Sequence, residues 1–238
     1  MKSEVVRLFQ TLPHACGYFA ERTAQNLVID PAAAQLAKLY EVAMSKGYRR
    51  GGGHVYRPNC NGCQACVPTR VLVDDFQPDR SQRRCLRRNG DLRLDVVKAR
   101  FTDEYFQLYR RYLNSRHAGG GMDDPDPQDF SQFLFTPWSP TNFLELRLHD
   151  RLVAVAVTDC TRSGLSAVYT FFDPDERARS LGTYAILRQI ELARQHNVAY
   201  VYLGFWIEGH AKMDYKARFQ PLQLLGGDGW HEMPQASP

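Results

Sequence analysis

The sequence predicts an α+β fold with mixed, mostly antiparallel sheets and packed helices. Segments with alternating apolar residues, typical of strands, lie between segments in which apolar residues have helical spacing. Short turns at His149–Arg151 and Arg162–Gly164 join three consecutive strand segments, as in an antiparallel meander. Val198–Phe205 is a nearly continuous run of β-branched and aromatic residues, which predicts a buried strand.

Helices are predicted where end signals flank an apolar periodicity. Pro31–Lys46 begins with proline and is followed by Gly47, a residue type that often ends a helix. Thr102–Arg116 has Thr102 as its N-cap, and its large apolar residues recur on one side. Further helices are predicted, in chain order, at Arg80–Arg88, Pro127–Phe135, Gly182–His196 and Ala211–Phe219.

Strands and a domain boundary complete the predicted order. The other strands are His54–Arg57, Thr69–Val73, Asp91–Lys98, Phe143–Leu148, Leu152–Asp159, Leu165–Phe172 and Pro221–Leu225. Glycine, aspartate and proline accumulate at 119–127, which is the clearest break in the chain. We therefore expect two domains. Residues 1–118 carry a cysteine cluster and an arginine-rich helix, and residues 119–238 begin with an acidic loop at 119–128.

Composition excludes several classes of protein. Of the 238 residues 44% are hydrophobic and 24% are charged, so the chain can bury a core and is not intrinsically disordered. No run approaches about 20 apolar residues, so no membrane span is predicted. The first ten residues lack the apolar segment of a secretory signal. We expect a cytoplasmic protein whose six cysteines are thiols or ligands rather than disulfides.

Positive charge is concentrated in one part of the chain. Residues 46–100 contain 13 basic and five acidic residues, a net charge of +8, whereas the whole chain has +4. Five arginines lie on one face of the predicted helix 80–88, and we call them the arginine stripe: Arg80, Arg83, Arg84, Arg87 and Arg88. Like charges repel, so the stripe favours an anionic partner such as an RNA backbone. The alternative is a solvated basic face.

Three cysteines recur at three-residue intervals, at Cys60, Cys63 and Cys66. A turn with this spacing can direct thiolates at one metal ion or cluster. The fourth ligand would be Cys16, with His14 or His54 as substitutes. The sequence leaves open a zinc ion or an iron–sulfur cluster at these positions, and equally a group of reduced cysteines packed in a tight turn.

The element order of the C-terminal half resembles that of the GNAT-type acetyltransferases. In that fold the loop before the main helix binds the pyrophosphate of an acyl donor through backbone N–H groups. Here this loop is Arg177–Thr183, and Gly182 is its one glycine. A phosphate-bearing donor other than coenzyme A fits such a loop, although an ordinary helix capped by Ser180 or Thr183 fits as well.

A combination of motifs along nearly the whole chain, from about residue 8 to residue 226, resembles the aminoacyl-tRNA–protein transferases. The motifs are HACGY at 14–18, GYRR at 47–50, YRPNCNGCQACVPTR at 56–70, SQRR at 81–84, SLGTY at 180–184, YLGFWI at 202–207 and KMDYK at 212–216. The short bacterial branch of this family is the most similar. Eukaryotic members with an iron–sulfur cluster carry a cysteine where this chain has Phe19, so the resemblance does not carry the cluster over.

The resemblance implies an activity and a set of partners. The chain would move leucine from leucyl-tRNA to the N-terminal amine of proteins that begin with Asp or Glu, which marks them for degradation. It would have a double GNAT-like arrangement. No cofactor is required, because a neutral α-amine can attack the ester if it is well positioned and the oxyanion is stabilised.

Residue roles follow from this activity. Acceptor-binding candidates are Arg49, Arg50, Arg57 and Arg70, because a guanidinium pairs well with a carboxylate. Transfer RNA would bind the arginine stripe together with Lys212 and Lys216, which share a face if they lie on a helix. Tyr215 is the candidate proton donor to the leaving oxygen, unless it is a packing residue. The leucyl pocket would consist of Phe171, Tyr202, Phe205 and Trp206, although aromatic residues on strands are often plain core.

Two other functions remain compatible with the residues. One is an acyl-CoA-dependent GNAT N-acetyltransferase, which the single glycine of the loop and the arginine stripe disfavour. The other is a non-catalytic, metal-bearing RNA-binding module.

Overall fold

The fold is described by a computed structural model that covers residues 6–116 and 125–234. The first seven strands are β1 (Leu8–Gln10), β2 (His14–Ala15), β3 (Thr23–Ala24), β4 (Asn26–Ile29), β5 (Arg49–Gly51), β6 (His54–Pro58) and β7 (Val67–Leu72). The later strands are β8 (Leu92–Lys98), β9 (Thr141–Leu148), β10 (Arg151–Cys160), β11 (Leu165–Phe172), β12 (Tyr200–Trp206), β13 (Leu222–Leu225) and β14 (Trp230–Glu232).

Helices occupy the intervals between these strands. The α-helices are α1 (Leu36–Met44), α2 (Arg80–Arg88), α3 (Asp103–Arg116), α4 (Pro127–Leu134) and α5 (Leu181–Gln195). Two 3₁₀ segments, Pro174–Arg179 and Asp214–Arg218, precede α5 and β13. None of the described helices is long and apolar enough to cross a bilayer.

The strands form a large and a small sheet. The large sheet has the order β14-β13-β7-β12-β11-β10-β9-β8, and its described neighbours are antiparallel except for β11 and β12. The small sheet has the order β1-β4-β6-β5 and is antiparallel throughout, while β2 and β3 form a separate ladder. The predicted mixed and mostly antiparallel α+β class is therefore confirmed.

Apolar side chains cover both faces of the large sheet. On one face α5 buries residues such as Leu187 and Ile190 against Val153 of β10. On the other face α3 and α4 contribute Tyr109 and Phe130 to a second cluster. This arrangement follows from the strand pattern, because β10 is buried along nearly its whole length and needs cover on both sides.

Most predicted elements are confirmed within a few residues, but the prediction for Ala211–Phe219 is wrong. That segment contains only the short 3₁₀ turn Asp214–Arg218. The Asp214 carboxylate accepts a hydrogen bond from Trp206 Nε1 at 3.3 Å, and Met213 and Lys216 are buried, so tertiary contacts determine its shape. The predicted helix Pro31–Lys46 is also shorter and begins at Leu36.

The two predicted domains share the large sheet. Strands β7 and β8 come from the N-terminal half, and they pair with β12, β13 and β9 from the C-terminal half. The boundary at residues 118 and 119 and most of the acidic loop 119–128 lie outside the described residues. That boundary and the double GNAT-like arrangement stay predictions.

A buried group of hydrogen bonds joins the small sheet to the large one. Arg50 of β5 donates to both carboxylate oxygens of Asp159 on β10, at 2.8 and 3.0 Å, and neither side chain has exposed surface. Asp159 also accepts hydrogen bonds from Tyr40 of α1 and Thr141 of β9. Because each partner of this ion pair is fully hydrogen-bonded, the two sheets are held in a fixed relation.

Candidate functional site

A gap opens between the parallel strands β11 and β12. The strands pair only at Leu165–Val201 and Ser166–Tyr202, and they separate towards their C-terminal ends. Backbone groups beyond that point, among them the carbonyls of Val168 and Phe205, are bonded by side chains instead of by the neighbouring strand. A cleft at the carboxyl ends of neighbouring parallel strands is a common location for ligands.

Arg49 enters this gap from the small sheet. Its Nη2 donates a hydrogen bond to the Val168 carbonyl at 3.0 Å, and its guanidinium carbon lies 5.7 Å from the centre of the Phe205 ring. The approach depends on Gly204, whose φ is +78° and where a Cβ would lie 2.6 Å from Arg49 Nη1. Glycine at this position therefore allows the positive φ and also leaves room for the guanidinium of Arg49.

Lys216 reaches the same gap from the 3₁₀ turn 214–218. It is 3% exposed, and its Nζ donates a hydrogen bond to the Phe205 carbonyl. Burial, and after it the charge of Arg49, lowers the pKa of Lys216 to about 7. The predicted shared face with Lys212 is corrected, because Lys212 lies before the turn and is exposed while Lys216 points inward.

Tyr215 lies between the gap and a pocket of about 120 Å³, the α2–α5 pocket. The centre of its ring is 5.9 Å from Lys216 Nζ, and 42% of the residue is exposed. Its local burial raises the pKa of the Tyr215 hydroxyl, with Arg49 acting in the opposite direction, so the hydroxyl keeps its proton at neutral pH. The lining residues are Ser81, Gln82, Arg84, Cys85, Arg88, Ser180, Thr183, Tyr215, Arg218 and Phe219.

The α2–α5 pocket has the features of an anion site. Three arginines line it, together with Ser180, the N-cap residue of α5, and Thr183, which lies in the first turn of this 15-residue helix. Ser180 adopts a left-handed conformation (φ 55°), which turns the chain into the helix. The N-terminal N–H groups of a helix and nearby guanidinium groups together attract phosphate.

The arginine stripe continues from this pocket along α2. All five of its arginines are exposed, and none of them forms a salt bridge with any residue that the structure describes. The opposite face of α2 buries Gln82, Cys85 and Asn89. Asp79 and Gln82 form a capping box, which explains where the helix begins.

Comparisons with known proteins agree with this arrangement of elements. Residues 14–84 match the family model described as the N terminus of arginine-tRNA-protein transferase, and residues 104–226 match the model of its C terminus. The chain belongs to this family. It is therefore an aminoacyl-tRNA–protein transferase, an acyltransferase whose substrates are an aminoacyl-tRNA and a protein.

Individual relatives of this transferase are similar over almost their whole length. An aspartate/glutamate leucyltransferase from Stenotrophomonas maltophilia (strain K279a) is 55% identical over 237 residues, which cover 97% of this chain and 94% of the relative. A protein of the same name from Xanthomonas campestris pv. campestris (strain B100) has the same identity and coverage.

Solved structures with little sequence identity share the fold and confirm its GNAT-like character. FemX has a TM-score of 0.51 at 8% identity, with 92% of this chain and 86% of FemX covered. The C-terminal domain of a lysylphosphatidylglycerol synthetase from Agrobacterium fabrum has a TM-score of 0.50 at 16% identity, with 70% and 61% covered.

The four arginines predicted for the acceptor of the transferase are not brought together. Only Arg49 reaches the gap. Arg50 is buried and hydrogen-bonded to Asp159, so the prediction that it binds the acceptor is wrong. Arg70 is stacked between Tyr200 and Trp230 at 3.7 and 4.3 Å, which anchors the C-terminal strands. Arg57 lies on the small sheet, 5.2 Å from the ring of Tyr48.

The predicted leucyl pocket is wrong as a set, because its four aromatic residues pack into separate parts of the core. Phe171 is fully buried against Tyr109. Tyr202 packs in the cluster of the small sheet and α1, and Phe205 packs with Ile207 and Met213. Trp206 is buried and hydrogen-bonded to Asp214. Phe171 lies on β11 and the other three on β12, whose register against β7 shifts between Tyr202 and Gly204.

The four cysteines predicted as metal ligands lie near one another, but they do not fit a metal ion as they are placed. No group of three or more His, Cys, Asp or Glu side chains is arranged for a metal within residues 6–116 and 125–234. Burial, together with Cys16, Cys60 and Cys63, raises the pKa of the Cys66 thiol to about 11, so Cys66 is neutral. A backbone N–H, and then Arg22 at 3.4 Å, lowers the pKa of Cys63.

A larger groove at the edge strand β8 is distinct from this site. It has a volume of about 620 Å³ and is open to solvent. Three basic and three acidic residues line it, and most of them are paired: Arg93 bonds Asp95, and Arg147 bonds both Glu104 and Glu145. The groove therefore presents no concentration of one sign of charge to a substrate.

Some residues of the site were missed by sequence reasoning. Arg218 completes the α2–α5 pocket, and Tyr18 and Tyr56 lie close enough to Arg49 to interact with its charge. Thr183, which also lines the pocket, belongs to the loop Arg177–Thr183 that the sequence singles out for a phosphate. One signal was available for Gly204, because an isolated glycine inside a strand pattern indicates a bulge or a close approach. The register of β12 against β7 indeed shifts between Tyr202 and Gly204.

Proposed function

We propose that this transferase moves leucine from leucyl-tRNA to the N-terminal amine of proteins that begin with Asp or Glu, and so marks them for degradation. The position of Tyr215 carries the proposal. On one side it borders a cationic pocket suited to the terminal phosphate of a tRNA, and on the other it borders the cations Arg49 and Lys216. The specific amino acids are those named for relatives at 55% identity.

The reaction is the aminolysis of an ester. The acceptor's α-amine, whose ordinary pKa of about 7.7–8.0 leaves a useful neutral fraction near pH 7, attacks the carbonyl carbon of the leucyl ester. The C–O bond to the terminal ribose breaks, and the ribose oxygen needs a proton as it leaves. The protonated hydroxyl of Tyr215 supplies it, and the proton that the attacking nitrogen loses as the amide forms restores the hydroxyl. The arginine stripe with Lys212 holds the tRNA backbone.

The decisive assay offers labelled leucyl-tRNA or arginyl-tRNA to peptides beginning with Asp, Glu, Arg or Ala. Leucine on the Asp and Glu peptides alone supports the proposal. Transfer of arginine in its place would contradict the donor, and label on the Ala peptide would contradict the acceptor specificity.

Tyr215→Phe tests the proton donor, since it removes only the hydroxyl. We expect kcat to fall by roughly 10²–10⁴ while both KM values stay close to those of the unaltered enzyme. A packing role would instead leave kcat intact and lower the thermal midpoint.

A further inference from the structure

We propose that Arg49 and Lys216 form a two-cation site that binds the side-chain carboxylate of the acceptor's first residue. The inference rests on the proposed function and assigns its specificity to two side chains. It also reassigns Lys216, which the sequence associates with tRNA.

Within residues 6–116 and 125–234, both cations lack a carboxylate partner. Neither forms a salt bridge with any described residue, although Lys216 is 3% exposed and Arg49 is partly buried. Their hydrogen bonds go to main-chain carbonyls, Arg49 to Val168 and Lys216 to Phe205. Positive charge withdrawn from water without an anion is costly, which indicates that an anion completes the site.

Arg49 and Lys216 have further N–H groups that can donate hydrogen bonds to such an anion. A guanidinium has five N–H donors and an ammonium has three. Arg49 uses one on Val168, and Lys216 contacts Phe205 and the Met213 sulfur at 3.8 Å. The side chains of Tyr18, Tyr56 and Tyr215 lie close enough to Arg49 to interact with its charge. Several hydroxyl groups therefore adjoin the cations.

The position of the pair favours a carboxylate over a tRNA phosphate. The exposed arginine stripe and the α2–α5 pocket already supply a phosphate path on one side of Tyr215. Arg49 and Lys216 lie on the other side, where β11 and β12 separate, with Lys216 buried and Arg49 partly buried. A carboxylate on a short side chain suits this enclosed place, whereas a phosphate brings a bulky, strongly hydrated backbone with it.

Electrostatics at the pair supports the same assignment. Burial, and after it the charge of Arg49, lowers the pKa of Lys216 to about 7, so its charged form is disfavoured there without an anion. A carboxylate between the two side chains opposes this effect. The isosteric amides of Asn and Gln bring no charge and place N–H donors against N–H donors, so the pair would reject them.

The test compares peptides that begin with Asp, Glu, Asn and Gln, using Arg49→Gln and Lys216→Met. We expect each variant to lose at least about tenfold in kcat/KM for Asp and Glu peptides, with the weak transfer to Asn and Gln peptides unchanged. The KM for leucyl-tRNA should not move. Lys38→Met, which removes an exposed lysine on α1, is the matched control and should behave as the unaltered protein.

Three other outcomes would contradict either this inference or the proposed function. An equal loss for all four peptides would overturn the inference and indicate a general base or a structural role. A raised KM for leucyl-tRNA alone would overturn it in favour of a phosphate contact. No transfer by the unaltered protein to Asp or Glu peptides would instead refute the proposed function.

A second measurement does not depend on the folding of the variants. A water-soluble carbodiimide is added to the unaltered protein with an Asp peptide whose C-terminus is amidated, so that the side chain is its only carboxyl group. The activated carboxylate should form an amide with Lys216, located by peptide mass spectrometry, and the Asn peptide should give none. Cross-links at other lysines, with Lys216 unmodified, would overturn the inference.

Discussion

Arg49 and Arg50 are adjacent in the sequence, yet their side chains have opposite roles. Successive residues of a strand point to opposite faces, so β5 directs Arg50 into the joint with Asp159 and Arg49 into the gap between β11 and β12. The dipeptide alone predicts two equivalent candidates. The partner that distinguishes them, Asp159, is 109 residues away and is visible only in the folded chain.

Lys216 should make stability depend on pH in a specific direction. Its pKa is about 7 in the folded protein and has the ordinary value of 10.5 when the chain unfolds. Between these values the unfolded chain binds the additional proton, so the free energy of unfolding increases as the pH rises from 7 towards 10. Below pH 7 both states are protonated and the folded state carries the whole penalty.

Lys216→Met should abolish that dependence. Denaturant unfolding at pH 6, 7, 8 and 9 measures it, and the difference between unaltered protein and variant removes the contributions of other groups. We expect the free energy of unfolding of the variant, relative to that of the unaltered protein, to be highest at pH 6 and lowest at pH 9. The difference between these two pH values should be about a few kcal/mol. A difference that is constant across this range would show that Lys216 does not titrate there.

Among the elements, α2 is the one that the sequence predicts best. Its two ends and its arginine face all depend on residues within the helix or directly beside it, and the observed bounds Arg80–Arg88 are those predicted. The 3₁₀ turn 214–218 and the strands β1 to β4 depend on tertiary contacts, so local patterns could not locate them. The gap between β11 and β12 is likewise a property of strand pairing.

The arginine stripe should determine how tRNA binding responds to salt. Each phosphate contact contributes about 0.7–0.9 to the slope of log K against log salt concentration. The double variant Arg84→Gln/Arg88→Gln should therefore weaken tRNA binding and make this slope shallower by about 1 to 2. Fluorescence anisotropy with labelled tRNA between 50 and 200 mM salt, about the range over which such contacts are lost, measures both effects.

Two exposed arginines elsewhere provide the control for the stripe. Arg110 and Arg162 are exposed on α3 and on the turn after β10. Their replacement by glutamine changes the net charge equally, but it should leave the slope unchanged. An equal reduction in both double variants would mean that only overall charge matters and that the stripe is not the binding surface.

At the scale of the molecule, the candidate site is assembled from segments that are far apart in the chain. Arg49 comes from the small sheet, and the arginine stripe comes from α2. Residues of α2 and of the start of α5 line the α2–α5 pocket, and Tyr215 and Lys216 come from the 3₁₀ turn 214–218 after β12. The motifs could be recognised individually. Their convergence, and the division of the arginines between the core, the gap and the exposed surface, required the packing of the two sheets.

Because Asp159 joins the two sheets, we expect its loss to affect both stability and activity. Asp159→Ala would leave the fully buried Arg50 without its carboxylate, and Tyr40 and Thr141 without their acceptor. We expect a loss of about 3–5 kcal/mol in the free energy of unfolding. Asp95→Ala, which breaks an exposed pair with Arg93, should cost no more than about 1 kcal/mol and serves as the control.

The same substitution should impair acceptor binding more than donor binding. Arg49 lies on the small sheet, and the bond between its neighbour Arg50 and Asp159 fixes that sheet to the large one. The arginine stripe and the α2–α5 pocket belong instead to elements packed on the large sheet. In Asp159→Ala, at a temperature where the variant remains folded, the KM for Asp peptides should rise and the KM for leucyl-tRNA should stay near that of the unaltered enzyme. If both KM values rose together, the small sheet would not position the acceptor site independently of the donor site.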